Sequence, residues 1–365
     1  MDPRFRPKIK LFIEHCSLNG KIYFFKRPGV AVELDDPSHF ISTACNLMDG
    51  KKTVVELQQA VFYTHPKESA YLTDLLSALD AEFLLENTSI NIPSDLSEYD
   101  VNRWSRNAEF FSAYSHADTN KYSHQAKLKS SIITILGLGG LGTNLLYNLA
   151  AIGIQNIRIV DYDKVELSNL NRQILYTEAD IGRKKTEAAK DRILQFSPQM
   201  NIETYDKKLS CIEDIFNIIS GSDIVVGAAD QPRDKIIDWI NAASVQHNIP
   251  FICGGLDSQW AVYYSVIPKK TGCIECWKSQ AKKSNYLYQD WVQQKEFTHA
   301  ASPNVIIMPF VSILSGLMVS DIIKIVTGIS EPKSLEKLCA FDFVSANTSI
   351  VETWEKNAAC LICSR

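Results

Sequence analysis

The stretch SIITILGLGGLGTNLLYNLAAIGIQNIRIVD, residues 131–161, decides the fold. It begins with a β-branched run, SIITIL, and continues through a glycine-rich turn, GLGGLG, into an apolar segment, TNLLYNLAAIG, that ends at a glycine. A second apolar run, QNIRIVD, closes the stretch. This order predicts a strand, a tight turn, a helix and a second strand that lies parallel to the first.

Two later apolar runs have the composition of further buried strands: DIVVGA at 223–228 and PFICGG at 250–255. Strands that alternate with helices indicate an α/β fold class with a doubly wound, mostly parallel sheet. At 365 residues, the chain is long enough for about two domains. We therefore expect this sheet to form one domain and the remaining N-terminal part to form another.

Glycine is concentrated in the turn, where one hexad holds four of the chain's 16 glycines. They are Gly137, Gly139, Gly140 and Gly142. Between a strand and a helix, glycines permit a tight turn and let backbone N–H groups approach a phosphate. Asp161 ends the second strand, at the point where an acidic side chain can bind a ribose hydroxyl. The pattern predicts a nucleotide site, and by itself it leaves both NAD and ATP as ligands.

The dense polar segment after Asp161, DYDKVELSNLNRQILYTEADIGRKKTEAAK, favours ATP because a nicotinamide oxidoreductase has no need for it. This segment resembles the ThiF/MoeB-type adenylating enzymes, relatives of ubiquitin-activating enzymes, and the resemblance runs from about residue 100 to the C-terminus. The residues that match their ATP site are Asp161, Asn169, Arg172, Gln173, Lys185 and Asp230. The resemblance implies a Rossmann-like ThiF fold in which Arg172 and Lys185 bind the triphosphate, and Asp230 holds Mg²⁺ near the α-phosphate.

An Arg-x-x-Arg motif, Arg103 to Arg106, precedes the first strand of the sheet. By resemblance, Arg106 reaches the ATP site of a partner subunit, which implies a homodimer. The implied reaction activates a carboxylate. Its attack on the α-phosphate gives an acyl-adenylate and pyrophosphate, and cations must screen the two anions from each other.

The nine cysteines include two Cys-x-x-Cys pairs. Cys273 with Cys276, and Cys360 with Cys363, supply the four thiolates that a closed tetrahedral zinc site requires. A structural zinc is also common in the family that the chain resembles. Since the sequence has no cysteine between Cys276 and Cys339, a thioester relay is poorly supported.

Residues 1–95 lie outside the minimal adenylating fold. Strands are expected at 8–15, 21–27 and 30–34, and a Thr53–Glu56 capping box begins one of three helices. This pattern predicts a winged-helix-like α+β module, and it resembles PqqD-like peptide-recognition elements. The resemblance implies that a leader peptide is added as a strand at 30–34, beside a helix at 75–85. Residues 96–128 form a linker and the arm that carries Arg106, and residues 129–365 form the adenylation domain.

This layout resembles the enzymes that make pantocin-type and microcin C-type peptide antibiotics. It implies ATP-dependent adenylation of a precursor peptide, with a glutamate side chain activated for ring closure. One alternative is transfer of AMP to the peptide's C-terminal amide. Another is a non-catalytic scaffold that presents a leader peptide.

Composition and local pattern exclude other classes. The formal net charge of −4 gives no reason to bind nucleic acid. The polar N-terminus lacks a secretory leader, and the apolar stretch at 305–320, interrupted by Pro309, is expected to be a core helix. We therefore expect a cytoplasmic protein with no membrane partner. The resemblance implies that residues 282–304 form a loop over the active site, where His299 is either a surface residue or a substrate contact.

Overall fold

The computed structural model describes residues 4–233, 235–284 and 305–364. The chain divides into two compact units, Met1–Lys127 and Leu128–Arg365. The proposed boundaries at residues 95 and 128 remain predictions. His299 and the rest of 285–304 lie outside the described residues.

The first unit contains a two-stranded and a three-stranded antiparallel sheet. Its strands are β1 (Pro7–Ile9), β2 (Glu14–Leu18), β3 (Lys21–Arg27), β4 (Val30–Asp35) and β5 (Leu85–Asn87). Its helices are α1 (Phe40–Leu47), α2 (Val54–Thr64), α3 (Leu72–Ala81), α4 (Glu98–Arg103) and α5 (Ser105–Ser112), while α6 (Tyr122–Ser130) crosses into the second unit. Strand β1 pairs with β5, and the order of the larger sheet is β2-β3-β4.

The predicted capping box at the start of α2 is present. The Thr53 hydroxyl accepts a hydrogen bond from the Glu56 backbone N–H at 3.3 Å, and the Glu56 carboxylate accepts one from the Thr53 N–H at 2.8 Å. These bonds satisfy two backbone donors that would otherwise lack partners at the helix start.

The strand predicted at 8–15 is wrong, because the chain turns between β1 and β2. Lys10 is 2% exposed, and its ammonium donates to the carbonyls of Phe83 and Ser115, each at 2.7 Å. Burial lowers the pKa of Lys10 to about 8. These two distant carbonyls hold Lys10 in the interior, while Leu11 is exposed beside it.

The helix predicted at 75–85 is also too long, because α3 ends at Ala81. Phe83 has a φ of 60°, which breaks the helical path, and Leu85 then belongs to β5. The leucines of this segment are buried in the core of their own unit: Leu75, Leu76, Leu79, Leu84 and Leu85.

The second unit is built on an eight-stranded sheet with the order β13-β12-β11-β10-β9-β6-β7-β8. Its parallel strands are β6 (Ile132–Leu136), β7 (Asn156–Val160), β8 (Asn201–Tyr205), β9 (Ile224–Gly227) and β10 (Phe251–Leu256). Three antiparallel strands extend it, β11 (Trp260–Val266), β12 (Lys337–Asp342) and β13 (Asn347–Thr353). Its helices are α7 (Gly140–Ile152), α8 (Lys185–Phe196), α9 (Ile212–Ile219), α10 (Ile236–His247), α11 (Ile274–Ser284) and α12 (Met308–Thr327).

Strand order places a crevice in this sheet. The chain runs from β6 outward to β7 and β8, and then returns to the other side of β6 as β9. Such a reversal opens a crevice at the carboxyl ends of the two central strands, where α/β proteins bind ligands. The α/β fold class with a mostly parallel sheet is therefore confirmed.

Helix α12 contains the apolar stretch that the sequence predicts to be a core helix. By length and composition it could also span a membrane, and half of its most apolar window is buried. Ser315 accepts a hydrogen bond from Asn148 of α7 at 3.0 Å, and the carboxylate of Asp321, 1% exposed, accepts one from the Ser334 N–H at 2.9 Å. Such buried polar contacts are typical of a helix packed inside a folded domain.

Candidate nucleotide site and cysteine cluster

The glycine turn between β6 and α7 is shaped by steric limits at two positions. Gly137 has a φ of +98°, and a Cβ there would lie 2.7 Å from the Ala229 backbone nitrogen. A Cβ on Gly142 would lie 1.9 Å from the Gly137 carbonyl oxygen. A Cβ on Gly139 would meet nothing within 4 Å. Gly137 and Gly142 thus permit the close packing of the turn, whereas Gly139 faces open space.

A matched pair of substitutions tests this difference. Gly142→Ala is expected to lower the free energy of unfolding by about 3 kcal/mol or more, because the new methyl group overlaps a backbone carbonyl. Gly139→Ala should change it by less than about 1 kcal/mol, because its φ of −71° suits alanine. Thermal denaturation of both variants measures the difference. Equal unfolding midpoints would contradict the steric account.

Asp161 ties the turn to the end of β7. One carboxylate oxygen accepts a hydrogen bond from the Leu138 N–H at 2.6 Å, and the other accepts one from the Asp163 N–H at 2.8 Å. Burial raises the pKa of Asp161 above its usual value, while the nearby Lys185 ammonium opposes that shift. The predicted ribose ligand therefore also holds the loop in place.

A cavity of about 520 Å³ opens above the turn at the carboxyl ends of the central strands. It brings together nine of the predicted site residues, Gly137, Gly139, Gly140, Asp161, Asn169, Arg172, Gln173, Lys185 and Asp230. Gly142 is absent from the lining and packs beneath the turn. Arg106 is exposed on α5 in the first unit.

Two positively charged side chains of the cavity, Lys185 and Arg172, lie beside the glycine turn. The Lys185 side chain is only 6% exposed, and its ammonium lies 2.8 Å from the Asp163 carboxylate. The stem of Arg172 packs against Gly140, since a Cβ on that glycine would lie 3.1 Å from the Arg172 Cγ. The Arg172 guanidinium also donates to the Asn171 side-chain oxygen at 2.8 Å. Both positive charges are held where a polyphosphate would meet the turn.

Two amides complete this side of the cavity. Asn169 is 8% exposed, and its side-chain oxygen accepts a hydrogen bond from the Glu166 N–H at 3.2 Å. Gln173 is 2% exposed, and its buried Oε1 has no hydrogen-bond partner among the described residues. A buried acceptor without a donor is costly, so this oxygen is suited to a ligand that supplies one.

The sequence prediction missed other residues that line the cavity. They include Tyr162, Lys207, Gln231, Arg233 and Asp257 on loops, with Ile306 and Val311 near the start of α12. Lys207 and Asp257 follow the ends of β8 and β10. The rule that ligands collect at the carboxyl ends of parallel strands could have found these two once the strands were assigned.

The four cysteines of the two Cys-x-x-Cys pairs form a buried cluster in which all Sγ atoms lie within 4.8 Å of one another. Cys273 and Cys360 are separated by 3.6 Å between sulfurs, and Cys276 and Cys363 by 3.4 Å. A disulfide needs about 2.05 Å. Four thiolates at the zinc–sulfur distance of about 2.3 Å would place their sulfurs about 3.8 Å apart. The cluster therefore has the donor set and spacing of a zinc site.

The glycine turn before α7 and the cavity above it are typical of an α/β nucleotide-binding protein of the Rossmann type. A match to the ThiF family spans residues 105–362, so the chain belongs to the ThiF family. The resemblance inferred from the residues after Asp161 is thereby confirmed.

Curated relatives agree with this assignment. The chain is 35% identical over 156 residues to the sulfur carrier protein ThiS adenylyltransferase of Bacillus subtilis, covering 42% of this chain and 46% of that protein. It is 28% identical over 245 residues to the sulfur carrier protein adenylyltransferase of Thermus thermophilus, covering 66% and 84%. The chain thus spans about half the length of the first of these relatives.

Solved structures share the fold along nearly the whole chain. Escherichia coli MccB with ATP superimposes with a TM-score of 0.78 at 23% identity, covering 98% of this chain and 99% of that one. PaaA superimposes with a TM-score of 0.74 at 24% identity, covering 94% and 99%. The N-terminal unit is therefore part of a shared architecture.

Proposed function

We propose that this protein binds ATP in the cavity and adenylates a carboxylate of a ribosomally made precursor peptide, with a glutamate side chain as the acceptor. Intramolecular attack on the acyl-adenylate would then close the ring and release AMP, so that the peptide has lost one water overall. The observation that supports this best is the single cavity that gathers the glycine turn, Asp161, Arg172, Lys185 and Asp230. The curated adenylyltransferase relatives support nucleotide transfer.

Both positively and negatively charged side chains of the cavity contribute to this reaction. A carboxylate oxygen of the acceptor attacks the α-phosphorus, the bond to the β-phosphate oxygen breaks, and pyrophosphate leaves. Arg172 and Lys185 lower the repulsion between the incoming anion and the phosphates. Asp161 keeps the turn in place and can also accept a hydrogen bond from the ribose.

Magnesium fits the carboxylates of the same cavity. Asp161, Asp163, Asp230 and Asp257 supply oxygen donors, which are the ligands that Mg²⁺ prefers. When bound, Mg²⁺ would neutralise phosphate charge. Asp230 follows the end of β9 and is exposed to the cavity, so it is the carboxylate that we assign to the metal.

Peptide recognition is assigned to the first unit. Strand β4 is an edge of the three-stranded sheet, so its outer backbone groups are available to an added strand. The structure of E. coli MccB with the MccA peptide shares this fold, which supports a peptide as the substrate. We assign binding of the leader peptide to β4. We also propose a homodimer in which Arg106 of one subunit reaches the ATP site of the other, and a cytoplasmic location.

Pyrophosphate release tests the proposal. A precursor peptide with the acceptor glutamate is expected to stimulate pyrophosphate release from ATP and Mg²⁺, because only the acceptor completes the reaction; short peptides encoded beside the gene are the candidates to test. Mass spectrometry then separates loss of water, expected here, from gain of AMP on the C-terminal amide, the microcin C-type outcome. No stimulated release would refute adenylation, and full product formation by Asp230→Ala would favour the non-catalytic scaffold.

A further inference from the structure

The cavity has two sides that the strand order separates. The glycine turn follows β6, in the middle. Asp161 and Lys207 follow β7 and β8 on one side, whereas Arg233 and Asp257 follow β9 and β10 on the other. If the ribose lies at Asp161, the sugar and base occupy the β7–β8 side. The β9–β10 side is then left for the group that attacks the α-phosphate.

The β7–β8 side carries two ion-paired lysines, whereas the β9–β10 side carries Arg233 together with the carboxylates of Asp230 and Asp257. The Lys207 ammonium lies 2.6 Å from the Asp214 carboxylate, and the Lys185 ammonium lies 2.8 Å from that of Asp163. Arg233, by contrast, is exposed to the cavity and makes no hydrogen bond or ion pair with any residue that the structure describes. A positively charged side chain that lines the cavity and has no anionic partner among the described residues is available to bind an anionic group of the ligand.

The wall beside Arg233 leaves room for that ligand. Ala228, Ala229, Gly254 and Gly255 line this side of the cavity. A Cβ built on Gly255 would come no closer than 3.9 Å to its nearest neighbour, a methyl group of Val262. Gly255 thus leaves space on this side of the cavity, whereas a Cβ on Gly254 would lie only 2.5 Å from the Met318 sulfur of α12.

We propose that Arg233 binds the acceptor carboxylate and sets the preference for an acid over an amide. This inference rests on the proposed function. A guanidinium presents a planar pair of N–H donors that matches a carboxylate, and its charge draws a second anion toward the phosphates. An amide acceptor would gain little from that charge. Arg233 therefore favours the glutamate-activating reaction over transfer of AMP to an amide.

The test measures binding of small probes to protein loaded with the ATP analogue AMPCPP. The probes are N-acetylglutamate α-methylamide, its glutamine counterpart, and N-acetylasparagine, which carries only an α-carboxylate. The wild type is expected to bind the glutamate probe at least about tenfold more tightly than the glutamine probe. Arg233→Gln should remove this preference, and Arg233→Lys should retain part of it. A preference for N-acetylasparagine would assign the site to a C-terminal carboxylate.

The control variant is Arg192→Gln. Arg192 lies on α8 outside the cavity lining, and its guanidinium is 3.7 Å from the Asp180 carboxylate. It should keep the preference, and all variants should bind AMPCPP within about twofold of the wild type. Loss of AMPCPP binding in Arg233→Gln, or no preference in the wild type, would overturn the inference. A preference without any peptide-dependent pyrophosphate release would refute the proposed reaction and leave the carboxylate site standing.

Discussion

Lys185→Ala is expected to lower peptide-dependent pyrophosphate release by about 10²–10³-fold. The Lys185 ammonium lines the cavity, and its side chain is almost fully buried. Partial exclusion of water strengthens its attraction for phosphate oxygens as charge shifts to the leaving pyrophosphate. In the described structure it lies against Asp163, so a nucleotide phosphate would compete with that carboxylate.

Lys184→Ala is the matched control, one residue earlier in the chain. The Lys184 side chain is 44% exposed and lies 2.7 Å from Asp206, outside the cavity lining. It should release pyrophosphate at close to the wild-type rate. Because the partner of Lys185, Asp163, is itself 47% exposed, loss of that ion pair should cost little stability. Equal loss of activity in both variants, with unchanged unfolding midpoints, would show that Lys185 has no special role.

Local patterns predicted the elements that depend on local physics. The β6–turn–α7–β7 unit follows from residues adjacent in sequence, and so does the capping box at Thr53 and Glu56. The paired cysteines were also identifiable because spacing alone limits what two Cys-x-x-Cys hooks can form. In each case the interacting groups, or the residues of the pattern that specifies them, lie within a few positions of one another in the sequence.

Long-range contacts account for the errors. Lys10 interrupts an expected strand because carbonyls from residues 83 and 115 surround its ammonium, and neither is near it in sequence. Arg233 was overlooked for a related reason. Only the order β10-β9-β6-β7 shows that the chain after Asp230 faces the open side of the glycine turn. A sequence pattern identifies an arginine, but the sheet determines which part of the ligand it can meet.

Zinc removal is the other change with a large expected effect. We expect about one zinc ion per chain in the purified protein, and Cys363→Ser should reduce the zinc content and lower the unfolding midpoint by about 6–12 °C. Cys363 is buried, with its sulfur 3.4 Å from that of Cys276 at the start of α11. A serine hydroxyl is a much poorer zinc ligand than a thiolate, so the Cys360–Cys363 pair would no longer be held by the ion.

The position of the hooks explains the size of this effect. Cys273 and Cys276 lie at the start of α11, and Cys360 and Cys363 lie near the C-terminus, so one ion would join segments more than 80 residues apart. All four cysteines belong to the hydrophobic core that also contains Trp354. Without a cation, four thiols would have to remain protonated in that core, or thiolates would repel one another. Release of this end of the chain should therefore expose apolar surface of the sheet.

Cys211→Ser provides the control, because Cys211 is half-buried at the start of α9 and lies outside the cluster. It should keep both the zinc content and the unfolding midpoint of the wild type. Elemental analysis and thermal denaturation, each with and without a strong chelator, give the two readouts. A wild type free of zinc and indifferent to the chelator would contradict the assignment. Zinc content that falls in Cys363→Ser but not in Cys211→Ser would support a zinc ion at the four-cysteine cluster.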